Sequence, residues 1–395
     1  MSIQIKPNIY WVGAIDWGLR HFHGHTYYTK RGGTYNSYLI MDEIPTLVDA
    51  VLGDFSQEMI DRIKEITSLE SIKQIIVNHV EPDHSGALPE LLKLIPHAKL
   101  FGTAKCKEGL AKYYQSNWNF QVVKTGDSIS TGQKTVKFLE ASMIHWPDSM
   151  FSYIPQEKLL LPNDGFGQQW ACNERFDDEV DQAILYEETV KYYASILWPW
   201  STVIKQKLDE LQNLSWEIDM IAPAHGLIWR QNPKRVMDWY HKWSSNESDK
   251  KVVIVYETMW NSTKQMAEAI GQGLQEVGIP YQIFDINQTD KTDVLTAMLD
   301  AKAYLFGSAA YDGDMLPNLA GFMHYLRGCH PQGRIAGSFG SFGWGGGATK
   351  ALEQFITDMK VEMPIPSLTL QWRPNSEEIE KCKQFGRKFG EKIKS

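Results

Sequence analysis

The run Asn78-His79-Val80-Glu81-Pro82-Asp83-His84 constrains the fold of this chain more than any other feature. It follows the apolar strand candidate KQIIV and leads into a helix predicted from Ser85. Four potential metal ligands, His79, Glu81, Asp83 and His84, therefore fall within six residues at a strand-to-helix turn. Each buried imidazole or carboxylate needs its own partner to offset desolvation, and no structural role calls for four of them at one corner. A metal ion satisfies them together; the competing reading is a solvated polar loop. Glu81-x-x-His84 is also half of a helix-bundle di-iron motif, which requires a second such pair on a facing helix. The chain has no second Glu-x-x-His, and Pro82 disfavours a helix interior across the pair.

The spacing resembles the H-x-H-x-D-H motif of the metallo-β-lactamase-like superfamily, with Glu81 where the second histidine would stand. That resemblance implies a dinuclear site at the edge of a β-sandwich, with further ligands at later strand ends. His145 in LEASMIHWPDS, Asp164 in LLLPNDGFGQ and His225 in IAPAHG follow in that order. Any one of them alone reads as a hydrogen-bonded structural residue at the end of a strand. Together they bring the donor set to four imidazoles and three carboxylates. Two-zinc hydrolases of the superfamily present imidazole-rich pockets; this harder, more anionic set suits iron moving between its divalent and trivalent states.

A polar run, SSNESDK, separates the helix-like PKRVMDWYHKW from the strand candidate KVVIVYE and predicts a boundary there, with domains over 1–248 and 249–395. Two domains suit 395 residues at about 100–200 residues each. Beyond the boundary, VVIVYE, YQIFDI, AYLFGS, RIAGSF and SLTLQW alternate with helical stretches, which predicts a doubly wound parallel sheet of α/β type. The earlier part mixes strand candidates (YNSYLI, PTLVDA, KQIIVNH, TVKFLEA, KLLLPND, EIDMIAPAH) with fewer helices, an α+β pattern. A net charge of -8 gives no electrostatic basis for holding nucleic acid or an anionic membrane. No stretch approaches the ~20 apolar residues of a membrane span. Four scattered cysteines form no C-x-x-C pair and predict a reducing, cytoplasmic setting.

Three loops of the second domain carry a further pattern. Thr258-Met259-Trp260-Asn261-Ser262-Thr263 follows the first strand and opens a helix, where hydroxyls and backbone N–H groups suit a single phosphate. An ordinary Ser/Thr helix cap is the bland alternative. Ser308-Ala309-Ala310-Tyr311-Asp312-Gly313 and Ser341-Phe342-Gly343-Trp344-Gly345-Gly346-Gly347 follow later strands at the ligand-binding edge of such a sheet. Their glycines allow close backbone approach, and Tyr311 and Trp344 offer flat rings. The three loops together describe a flavodoxin-like FMN site. The match of Gly343 to Ala348 with G-x-G-x-x-G/A falls after the fourth strand, too late for a dinucleotide half-domain.

This pairing of domains resembles the flavodiiron proteins over essentially the whole chain, from DWGLRHFHG and RGGTYNSYLI through HVEPDHSGALP, HWPDSM and HGLIWR to TMWNST and SFGWGGG. The resemblance implies a metallo-β-lactamase-like αββα sandwich followed by a flavodoxin-like domain. It implies one iron on His79, Glu81 and His145, a second on Asp83, His84 and His225, and Asp164 between them. It also implies that FMN passes electrons to the iron pair, which reduces dioxygen to water, nitric oxide to nitrous oxide, or both. His23, with His25 beside it, is similar to a family residue near the substrate pocket; both, with His21, also read as surface histidines. The expected partners are an external donor, rubredoxin or a reductase, and a second copy in a head-to-tail dimer or a tetramer of dimers. A zinc hydrolase with an accessory flavodoxin domain is the competing function. Two departures from the family pattern stand out: Ala309-Ala310 where GSPT is common, and Gln169 where FGQH is common.

Overall fold

The computed structural model describes residues 1–394. They form two compact units: Met1–Tyr192 with Thr202–His241, and Tyr193–Ser201 with the chain from Lys242 onward. In the first unit, strands Ile3–Lys6, Ile9–Trp11, Tyr38–Ile40, Thr46–Val48, Gln74–Ile76, Lys99–Gly102 and Phe120–Val122 make one sheet in that order. Strands Ser128–Ser130, Thr135–Glu140, Met150–Ile154, Leu159–Leu161 and Met220–Ile221 make a second.

The central strands of the first sheet feed two cores because their side chains alternate between faces. Leu39, Leu47 and Ile75 pack with Met59, Ile60, Leu88 and Leu91 of helices Ser56–Lys64 and Leu88–Leu94. Their neighbours Tyr38, Ile40, Val48 and Ile76 face the second sheet and share a core with Val136, Phe138, Met150 and Leu161. On the far side of that second sheet Phe151 meets Ile204, Leu208 and Tyr240 of helices Ser201–Asn213 and Pro233–Ser244. The layers are helix, sheet, sheet, helix, as expected for an αββα sandwich.

Strand direction then gathers the site. Thr135–Glu140 and Leu159–Leu161 are both antiparallel to Met150–Ile154 between them, and Met220–Ile221 runs parallel to Leu159–Leu161. Three strands thus end at one edge, and the segments leaving them carry His145, Asp164 and His225. The helix predicted from Ser85 begins earlier. Pro82–Ser85 forms a single turn with Pro82 at its first position, where a missing N–H costs nothing.

In the second unit five parallel strands lie in the order Tyr281–Asp285, Asp249–Glu257, Ala301–Ala309, Ile335–Phe342, Leu368–Gln371. Val252, Ile254 and Tyr256 face helices Ser262–Glu276 and Ser376–Lys394 through Met266, Ile270, Phe385 and Phe389. Val253 and Val255 are buried on the opposite face. Cover on both faces explains why VVIVY reads as an unbroken apolar run. Strand order reverses between Asp249–Glu257 and Ala301–Ala309, which opens a crevice at their C-terminal ends. Among the described residues no helix is long and apolar enough to cross a membrane.

Candidate metal and flavin sites

The seven side chains singled out as metal ligands converge. His79, Glu81, His145 and Asp164 form one group of mutually close donor atoms, and Asp83, His84 and His225 form a second. Asp164 joins them. Its Oδ2 lies 3.3 Å from His145 Nε2 and 3.6 Å from His79 Nε2, while its Oδ1 lies 3.1 Å from His84 Nε2 and 3.2 Å from His225 Nε2. Glu81 Oε2 sits 3.2 Å from His79 Nε2 and 3.3 Å from His145 Nε2; Asp83 reaches His84 at 3.4 Å and His225 at 3.2 Å.

The surroundings hold these groups in place. Asp148 Oδ2 accepts the Val80 N–H at 2.7 Å and lies 3.0 Å from His79 Nδ1. His225 Nδ1 donates to the Thr34 carbonyl at 2.7 Å, and the Tyr192 hydroxyl donates to Asp164 Oδ1 at 3.0 Å. Beneath them Asp49, itself buried, accepts from the Asn78 N–H and from the side-chain amides of Asn78 and Asn163.

Charge is concentrated accordingly. Burial opposes protonation of His145 and His225, but hydrogen bonds to Asp164 and to Glu81 or Asp83 outweigh it and push them up to about 9 and about 10. His79 is also raised, against burial, by Asp148 and Glu81. Burial works against ionisation of Asp164; the nearby His84 and hydrogen bonds from His145 and His225 hold its carboxyl well below the usual range. Glu81 is likewise depressed, burial being outweighed by His145, His23 and His79.

Even so, Asp83 Oδ1 and Oδ2, His84 Nδ1 and Nε2, Asp164 Oδ2 and His225 Nε2 are buried without a hydrogen bond of good geometry, close as most of them lie to one another. Desolvated donors left this way are costly unless something else engages them. A pair of cations bridged by Asp164 would engage all of these atoms except His84 Nδ1, which points away, so the residues fit a two-metal site. His23 joins the margin of the cluster, with Nε2 3.1 Å from Glu81 Oε1 and its ring 5.4 Å from that of His145. His25 is exposed and its ring packs on His21 at 4.3 Å.

The crevice of the second unit opens into a cavity of about 560 Å³, within the range of about 300–1,000 Å³ common to small-molecule sites. Of the residues expected there, Met259, Trp260, Ser262, Ala309, Ala310, Asp312, Gly313 and Ser341 to Gly346 line it. Thr258, Asn261, Thr263, Ser308 and Tyr311 stand outside that lining. Thr263 and Ser308 are fully buried. The Ser262 and Thr263 hydroxyls contact Ser341 Oγ at 2.8 and 3.2 Å, tying the first loop to the third. Ser308 Oγ accepts the Leu316 N–H at 2.9 Å, a structural bond. Trp372 and Arg373, which sequence reasoning did not single out, also line the cavity. Trp260 and Trp344 are 88% and 92% exposed, so two large apolar rings stand open at its rim. A planar ligand with one phosphate fits this combination of open rings, close backbone and a hydroxyl-bearing helix start.

Family models match the two parts separately: the ODP family beta lactamase over residues 34–226, and flavodoxin over residues 254–386. A sandwich with a two-metal donor set, joined in one chain to a flavodoxin domain, defines a class of metalloflavoproteins. The nitric oxide reductase of Moorella thermoacetica is 43% identical over 99% of this chain and 98% of its own length. The anaerobic nitric oxide reductase flavorubredoxin of Salmonella arizonae is 41% identical over 98% of this chain and 81% of its own. Rubredoxin oxygen:oxidoreductase of Desulfovibrio gigas superposes with a TM-score of 0.97 at 33% identity, covering 100% of this chain and 99% of that one. The flavodiiron protein of Giardia intestinalis gives 0.96 at 32%, covering 100% and 97%. The chain belongs to the flavodiiron family.

Proposed function

We propose that this protein takes electrons through FMN, bound in the domain of residues 249–395, to two non-haem irons in the domain of residues 1–248, and reduces dioxygen to water, nitric oxide to nitrous oxide, or both. One iron would be held by His79, Glu81 and His145, the other by Asp83, His84 and His225, with Asp164 placed to serve both. The observation that carries this reading is the set of buried carboxylate and imidazole atoms crowded together without well-formed hydrogen bonds at the junction of the two donor groups. The names of the relatives support reduction and give none to the zinc-hydrolase alternative.

The balance is O2 with four electrons and four protons giving two waters, or two NO with two electrons and two protons giving N2O and water. Bound iron supplies electrons and Lewis acidity to the gas, with FMN as the relay. The chain's own part is geometric. Asp164 spaces the two positions, Asp148 and the Thr34 carbonyl orient His79 and His225, and burial excludes water from the donor set. His23, partly exposed beside Glu81, would contribute a hydrogen bond near the substrate pocket or gate access to it, and His25 is the second candidate on the same loop. The residues that would hold FMN are Trp344 and the backbone of Gly343 to Gly346 at the ring and Ser262 at the phosphate, with Thr258, Asn261 and Thr263 on the same loop outside the cavity lining.

We assign the electrons to an external donor, rubredoxin or a reductase, and the working form to a head-to-tail homodimer or a tetramer built from it. The setting is the cytoplasm, with Cys106, Cys172, Cys329 and Cys382 all buried and free. Anaerobic reconstitution with iron and FMN, followed by metal analysis and a visible spectrum, tests the reading. About two irons and one flavin per chain, with NO or O2 consumed when a reduced donor is supplied, is the expected result. A preparation that loads only zinc and consumes neither gas overturns it.

A further inference from the structure

We infer that Asp148 is a positioning residue that fixes the tautomer of His79 and makes the metal position built on His79, Glu81 and His145 the tighter of the two, so that the chain fills stepwise. This rests on the two-metal reading above and adds to it an order.

The two positions are matched in their own ligands: each has two imidazoles, one carboxylate (Glu81 or Asp83) and one oxygen of Asp164. They differ in what stands behind the imidazoles. Asp148 Oδ2 already accepts the Val80 N–H, so toward the His79 ring it is again an acceptor; Nδ1 must carry its hydrogen and Nε2 turns its lone pair to the site. The carboxylate is firmly seated. Asp148 is 2% exposed, and its main-chain carbonyl accepts the Thr103 hydroxyl at 2.9 Å. Thr103 Oγ1 in turn accepts the Cys106 N–H at 3.1 Å and caps helix Ala104–Tyr114.

On the other side His225 Nδ1 has only the neutral Thr34 carbonyl, and His84 Nδ1 is buried with no hydrogen bond, the Asp49 carboxylate acting on this ring through space alone. A carboxylate behind an imidazole raises its basicity as a ligand and holds the ring's orientation, and losing such a partner costs about 10–100-fold in metal affinity. The imbalance therefore favours the Glu81 side.

The test titrates metal-free protein with Zn2+, following binding by calorimetry and the imidazoles by 15N NMR. Two resolved steps are expected, with the first equivalent shifting His79 and His145 before His84 and His225. Asp148→Asn sets its amide oxygen where Oδ2 now accepts both the Val80 N–H and the His79 Nδ1–H, so it keeps the tautomer but removes the charge behind the ring, and it weakens the first step about 10–100-fold. Thr103→Val, which removes the anchor and cap but not the carboxylate, lowers the melting temperature and keeps the His79 tautomer. If Asp148→Asn does not fold, the order of shifts in the unaltered chain still decides. Shifts at His84 and His225 first, or a single unresolved step, overturn the inference, as does an Asp148→Asn titration that superimposes on that of the unaltered chain. A protein that binds neither Zn2+ nor Fe2+ at these seven side chains removes the two-metal reading itself.

Discussion

Asp164 spends each of its oxygens on a different group: Oδ2 on His79 and His145, Oδ1 on His84 and His225. Its carboxylate thus faces both groups. Asp164→Ala therefore disconnects the two positions and leaves four buried imidazoles facing one another. Iron is expected to fall from two per chain to one or none, with flavin unchanged, as read by metal analysis beside the visible spectrum. Asp49 acts one layer below. It accepts the Asn78 N–H at 2.7 Å and the Asn163 amide at 3.2 Å, clamping the segments that lead to His79 and Asp164. Asp49→Asn keeps the shape and tolerates the positive φ of this position, but sets an amide against two amides. Leaving buried donors unpaired costs about 1–3 kcal/mol, which urea unfolding of the metal-free protein measures. The convergence of these seven side chains was legible in the sequence because a candidate metal site calls for particular residue types at strand ends. Asp148 and Tyr192 were not, since their roles exist only once His79 meets a partner 69 residues away and Asp164 one 28 away.

Helices Ser262–Glu276 and Ser376–Lys394 show how two elements set each other's sequence. At Gly273 a Cβ would run into the Lys383 carbonyl, and at Gly386 into that of Ile270, so the helices touch backbone to backbone. Glycine inside a helix normally costs about 0.5–1 kcal/mol relative to alanine. Here the sign reverses. Gly386→Ala is expected to destabilise by about 1–3 kcal/mol, as overpacking does, seen as a lower melting temperature of the flavin-loaded protein; a rise would mean that the helices can slide apart freely. Element periodicity was legible where both faces are buried: VVIVYE and AYLFGS lie within the observed strands Asp249–Glu257 and Ala301–Ala309. Strands with weaker patterns escaped. Phe120–Val122 is an edge strand with two exposed residues, and Met150–Ile154, buried throughout, lacks the alternation that marks a strand. Trp372 and Arg373 follow the last strand, Leu368–Gln371, beside the third loop, a neighbourhood fixed by strand order and invisible to local pattern.

At the scale of the whole molecule the question is which flavin serves which iron pair. The proposed head-to-tail dimer assigns the flavin of one subunit to the metals of its partner, and this makes a demand that a single-chain route does not. Take two defective chains. Ser262→Glu sets a negative charge in the lining of the cavity proposed to take the phosphate, and is expected to abolish flavin binding while the seven converging side chains stay intact. Asp164→Ala leaves the flavin domain intact and removes the carboxylate that joins the two donor groups. Neither homodimer has both halves of a working pair. In a mixed dimer the intact flavin of one subunit faces the intact metal position of the other, and the second pair is doubly broken. Co-production with different tags, followed by purification through both, isolates that species, and about half the activity of the unaltered dimer is expected from one working pair in two. Transfer within a chain predicts the opposite result, because every chain in the mixed dimer lacks one cofactor. Activity no higher than that of the two parents would therefore place electron transfer inside the subunit and leave the dimer without a catalytic role.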